Sequence, residues 1–215
     1  MSECSKMKTL QDFDFSGFSA LESILEKTYG GVAQALASLT LFAHPETVAQ
    51  TGNRALFPII RATAVSQRGT VLVDKKLVLC DNTSCQDAFL WTHSLKYRQF
   101  KDVQFNHVYS INEPDYYTSL ANICVTPVFL AKLTDTHEEF KAILRYRVYA
   151  CYGFVPTGFA LPEKPTVYDQ LEWAPFMPVV NNLADVIRKR LIKKKKARAA
   201  IAVQNFGWIF SDDAV

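Results

Sequence analysis

The sequence has no apolar run approaching the roughly 18 to 20 residues that a membrane-spanning helix needs, and its opening MSECSKMKTLQDFDFSG lacks the pattern of a secretory signal. A soluble, cytoplasmic protein is the expectation. Strings that announce common chemistries are missing too. No Walker-type phosphate loop, GxGxxG, GxSxG or HExxH occurs, so nucleotide-binding folds, serine hydrolases and zinc proteases lose their usual sequence support. No repeat, low-complexity tract or long Gly/Ser/Pro linker divides the chain, which predicts a single domain over residues 1–215. Cysteine is sparse. Cys4, Cys80, Cys85, Cys124 and Cys151 are odd in number and have no CxxC spacing, which points to reduced, buried thiols rather than a disulfide framework. Cys80 and Cys85 could open a zinc site with Cys124 or His93, but no second close pair follows, and structural zinc is not expected.

What is present is apolar material, 49% of 215 residues, enough for a sizeable core. Charge is unevenly distributed. Of 24 basic residues, eight lie between Arg188 and Arg198 with no acid among them, which leaves 16 basic against 21 acidic residues elsewhere. Anions should therefore meet Arg188, Lys189, Arg190, Lys193, Lys194, Lys195, Lys196 and Arg198.

Periodicity predicts an α+β fold: a helical N-terminal part, a small antiparallel sheet, and a helical basic C-terminal part. Residues 16–45 read as helical. In SALESILEKTYGG, Ser19 and Glu22 have capping-box spacing and Gly30-Gly31 a stop, and VAQALASLTLF should run on to Pro45. An αβ core follows over 56–152. LFPIIRATAV and GTVLVDKKLVLC read as strands with a turn at Asp74-Lys75-Lys76, and AFLWTHSLKYRQF as a short helix or a strand with a loop. DVQFNHVYS alternates as a strand, with Val103, Phe105, His107 and Tyr109 on one face, and NEPDYY is a turn. Thr126-Pro127 has N-cap and first-turn chemistry, and Thr136 with Glu139 makes a second capping box ahead of a long helix ending at Gly153. Residues 153–182, rich in proline and aromatics, predict an ordered arm on the core. Residues 183–204 predict one basic helix with Leu183, Val186, Ile187, Leu191 and Val203 on its apolar side.

Within residues 102–137, a strand ends at Asn106-His107, a loop follows, Asn122 stands in SLANIC, and a helix begins. This order resembles the ββα-metal element of HNH-type nucleases. The resemblance implies a metal-dependent endonuclease acting on DNA, of restriction or mobile-element type. His107 would be the general base, Asn106 would give oxygen to the metal, and Asn122 would bind metal or orient the imidazole. Mg²⁺ is the implied ion, with Mn²⁺ as a substitute. Such a base needs its other ring nitrogen held by a carbonyl or amide, and the cation needs oxygen ligands. The sequence departs from the family where the last ligand belongs: Leu130 and Ala131 stand there, with Lys132, Asp135 and His137 nearby but out of register.

The residues leave alternatives open. His107 and the two asparagines could be a hydrogen-bonded core cluster in a non-catalytic nucleic-acid-binding or interaction protein. The basic segment could hold double-stranded DNA, lie on an anionic membrane with FGWIF as its aromatic part, or be a solvated face. Arg145 and Arg147 could meet phosphate or pair with Glu138 or Glu139, and Tyr116 and Tyr117 could stack on bases or be core. A homodimer is compatible with all of these.

Overall fold

The computed structural model describes residues 10–13, 16–73, 75–82, 84–96 and 102–207. The expected Asp74 turn position, residues 97–100 of the ambiguous aromatic stretch, Cys4 and most of FGWIF lie outside them. The fold is α+β, with eight α-helices and two small sheets among the described residues. None of these helices is long and apolar enough to cross a membrane.

Helix α1 (Gly17–Tyr29) starts one turn earlier than the capping-box reading. Ser16 is its N-cap, accepting a bond from the Ser19 amide at 3.2 Å. Gly30 closes it as expected, in a left-handed conformation with φ 74° that costs glycine nothing. Helix α2 (Val32–Leu39) stops well short of Pro45. The Thr40 hydroxyl donates back to the Leu36 carbonyl, and Leu41 leaves the helix to exchange two backbone bonds with Val125, at 2.9 and 3.0 Å. A short α3 (Pro45–Ala49) follows.

Strands β1 (Ile59–Ile60), β2 (Gly69–Val73) and β3 (Lys76–Cys80) form one sheet in the order β1-β3-β2. The β2–β3 hairpin is antiparallel as expected, but β1 runs parallel to β3, so the sheet is mixed. After α4 (Ser84–Thr92), β4 (Val103–His107) pairs antiparallel with β5 (Ile123–Pro127) in a separate two-stranded sheet. Helix α5 (Val128–Thr136) continues directly from β5, giving a β-β-α order.

Two expected caps are reassigned. Pro127, not Thr126, caps α5, because Thr126 is still in β5 and accepts a bond from the Asn106 amide. His137, not Thr136, caps α6 (Glu138–Tyr152), because Thr136 ends α5 with its hydroxyl bonded to Lys132 O. Gly153 ends α6 as expected.

Residues 153–182 form an irregular arm with a 3-10 turn at Tyr168–Gln170. Its main chain is tied along α2 and α3: Ala174 N–H donates to Ala37 O at 3.0 Å, Met177 N–H to Phe42 O at 2.9 Å, and Val180 N–H to the Thr47 hydroxyl at 2.9 Å. Arg147 on α6 lies under Trp173 and Phe176 of the arm, 4.5 and 4.8 Å from the ring centres. Its guanidinium is thus used in packing.

The last described elements are α7 (Leu183–Lys193) and α8 (Arg198–Phe206), two helices where the sequence predicts one. The break falls in the lysine run, where like charges three and four residues apart oppose a continuous helix. Leu183 and Ile187 are fully buried, and one apolar cluster extends from Leu25 through these residues to Ala202.

Candidate active site

The β4–β5 ladder aligns Asn106 with Cys124 and His107 with Ile123, and the connecting loop must return to that register. Asn122 closes it. Its side chain is fully buried; Oδ1 accepts from Tyr109 N–H at 2.8 Å, and Nδ2 donates to Tyr109 O at 3.1 Å and Tyr116 O at 3.4 Å. An amide that both accepts from and donates to one backbone residue imitates a rung of an antiparallel ladder. Asn122 therefore pins the start of the loop to the turn at Tyr116, which sets the position of the next carbonyl, that of Tyr117.

That carbonyl is the partner of His107. The imidazole stacks on the Tyr117 ring, with centres 4.7 Å apart at 24°, and its Nε2 lies 2.8 Å from Tyr117 O. A carbonyl can only accept, so Nε2 carries the proton of the neutral ring and Nδ1 keeps the lone pair. Nδ1 has no hydrogen-bond partner among the described residues and is not sealed from solvent. Burial pushes the pKa below the ordinary histidine value, with Arg61 acting the same way and the Tyr117 bond and Asp135 opposing. At pH 7 the ring is neutral, with its basic nitrogen open.

Gln104, Asn106 and His107 line a cleft of about 390 Å³ together with Arg61, Asn112 and Asp135. Asn106 is 5% exposed; its Nδ2 donates to the Thr126 hydroxyl at 2.6 Å, leaving Oδ1 unspent. Arg61 is held from its main chain, exchanging bonds with the Asn112 side-chain amide. Asp135 is exposed on the last turn of α5.

The structure thus brings Asn106 and His107 to one cleft and leaves Asn122 out of it. The expectation that Asn122 binds metal is corrected, because both ends of its amide are spent on backbone. Leu130 and Ala131, where the family pattern expects a ligand, are buried core. Of the nearby polar residues named from the sequence, Lys132, Asp135 and His137, it is Asp135 that lines the cleft. Its signal was the start of α5 at Val128, which puts Asp135 about two turns along. Arg61 and Asn112 carried no sequence signal, because only tertiary pairing brings them in.

Among the described residues no group of three or more His, Cys, Asp or Glu could hold a metal ion. Asn106, Asp135 and Gln104, which line the cleft, carry oxygen donors of the type a hard cation takes, with one carboxylate among them. Cys80, Cys85 and Cys124 are buried, and burial raises each thiol, Cys124 to about 12. Tyr117 is buried and Tyr116 bonds the Thr157 hydroxyl, so neither is an open stacking platform. Arg145 lies 3.6 Å from Glu138 and beneath Tyr109.

His93 packs against Phe89 at a tilt of 53° with ring centres 4.7 Å apart, and its Nε2 is buried without a partner. Burial pushes its pKa down to about 4. A depressed folded pKa costs stability as pH falls from the unfolded value of about 6.5 toward 4, by about 2 kcal/mol at pH 5. His93→Phe should therefore raise the melting temperature more at pH 5 than at pH 8. Equal shifts at both would show that His93 is not the source of acid lability.

None of the eight clustered cations lines the His107 cleft. Seven are exposed and Arg190 is half-buried; Arg188 pairs with Asp185 at 3.2 Å. Compared with known proteins, the chain matches no family model, no curated protein and no solved structure.

Proposed function

We propose that this protein is a metal-dependent, HNH-like endonuclease that hydrolyses DNA phosphodiester bonds at the His107 cleft. One observation carries the reading: a neutral histidine has one nitrogen fixed on a carbonyl and the other without a protein partner, and its cleft is also lined by Asn106, Asp135 and Arg61. His107 Nδ1 takes the proton of the attacking water. Arg61 meets a non-bridging phosphate oxygen. Asn106 Oδ1 and the Asp135 carboxylate would hold Mg²⁺ or Mn²⁺, which when bound would neutralise the phosphate and the leaving oxygen. Asn122 orients the base through the loop.

The test is nicking of supercoiled plasmid by the purified chain, with and without a divalent cation. Cleavage only with the cation supports the proposal, and no cleavage with either Mg²⁺ or Mn²⁺ sinks it. A non-catalytic nucleic-acid-binding role is the second reading, favoured by the separation of all eight cations from the cleft.

Both readings give the basic segment to phosphate. Replacing Lys193, Lys194, Lys195 and Lys196 by glutamine should weaken duplex binding about equally for every sequence, because phosphate contacts carry no base information. The slope of log K against log salt should flatten by up to about 0.9 per lost contact. An unchanged slope with lost binding to anionic vesicles would instead assign the segment to a membrane, where Ile192, 67% exposed among these lysines, could insert.

A further inference from the structure

A second concave feature, a groove of about 500 Å³, lies between α4 and α7. Half-buried Leu95, with the edges of buried Leu90 and Trp91, gives it an apolar floor; Lys96 lines it beside Leu95, and Arg190 and Lys194 bring positive charge from α7 and its C-terminal turn. Neither Arg190 nor Lys194 makes an ion pair among the described residues. The acid lining the groove is Asp87. Burial and the neighbouring Asp81 push its carboxyl up to about 6 against the pull of Lys194, so Asp87 is not a close partner for that lysine.

Unpaired cations beside an apolar floor are complementary to an anion that carries a flat apolar body. A solvated lysine face needs no floor, and a duplex, whose bases are paired and stacked, has no apolar body to lay on one. Exposed Lys195, Lys196 and Arg198 continue the positive charge along the chain from Lys194.

We infer that the α4–α7 groove is a nucleotide subsite: an unpaired base lies against Leu90, Trp91 and Leu95, its phosphate meets Arg190 and Lys194, and the next phosphates of the same strand follow Lys195, Lys196 and Arg198. The inference rests on the reading that nucleic acid is the partner, and it adds a preference for strands with unpaired bases.

The test is binding by the full-length His107→Ala chain in chelator, so that cleavage plays no part. Fluorescence anisotropy is measured with a labelled single strand and with a duplex of equal length. The single strand should bind more tightly, and adenosine monophosphate should displace it where inorganic phosphate at equal ionic strength does not. Leu95→Asp, checked for folding by circular dichroism, should weaken single-strand binding about tenfold, toward the lower end of what one stacked base contributes, and leave the duplex unchanged. Asp87→Asn, which removes the opposing charge without disturbing the floor, should tighten single-strand binding. Equal binding of both forms, equal competition by phosphate, or binding only to anionic vesicles would each overturn the subsite. Failure of the nuclease reading is separate, since it shows as absent cleavage by wild type while the strand preference persists.

Discussion

Replacing His107 by alanine is expected to lower the rate of plasmid nicking by about 10²- to 10⁴-fold, the usual range for loss of a positioned general base. The fold should survive. What alanine removes from the folded state is the stack on Tyr117 and one bond to its carbonyl, together on the order of 1–2 kcal/mol. The melting temperature should thus fall by a few degrees while cleavage all but disappears. A variant that cuts as fast as wild type in Mg²⁺ or Mn²⁺ would remove His107 from the mechanism. The wild-type pH profile gives an independent check. Burial depresses the imidazole pKa, so the neutral, proton-accepting form persists below pH 6.5. The acid limb of kcat/KM should lie below that value, and a limb at or above it would mean that another group titrates.

The parts of the fold legible in the sequence were those whose signal is local. Glycine stops at Gly30 and Gly153, the alternation through residues 103–107 and the apolar stripe of α6 all depend on residues a few positions apart. The misread boundaries were decided by long-range partners. Thr40 and Leu41 have no local reason to leave a helix; the vacant edge at Val125 provides one. Thr126 has the chemistry of an N-cap, but its hydroxyl is taken by Asn106 from the facing strand. The parallel pairing of β1 with β3 is set by a crossover that no short window contains.

The site divides in the same way. The Asn106-His107 step and the distance to Asn122 were visible because the hairpin itself joins them. The cleft around them was not. Arg61 arrives from the end of β1, and Asp135 is presented by the pitch of α5 rather than by a fixed count from Asn122. A count from Asn122 lands on Leu130 and Ala131, which α5 turns into the core, while Asp135, a little over one turn further along, is exposed.

Asn122→Asp separates the two roles that the sequence left open for this residue. A metal ligand would gain from the change: a carboxylate binds Mg²⁺ better than an amide, so cleavage should persist at lower cation concentration. The geometry calls for the opposite. Aspartate can still accept from Tyr109 N–H, but its second oxygen replaces a donor and faces the carbonyls of Tyr109 and Tyr116 in a fully buried position. Leaving those acceptors unpaired costs about 1–3 kcal/mol each, and the buried charge adds to it. Protonation relieves the conflict, because the acid form donates again, so the folded-state pKa of the new carboxyl lies above its unfolded value. The stability of this variant is then highest below the unfolded pKa and is lost as pH rises through the folded one. Its melting temperature should trail wild type by ten degrees or more at pH 8, on the order of what several kcal/mol produce in a chain of this size, and by much less at pH 4.5. Cleavage should be absent at any Mg²⁺ concentration, because a displaced Tyr117 carbonyl no longer fixes the imidazole. A variant that melts like wild type and cuts at lower Mg²⁺ would return Asn122 to the metal.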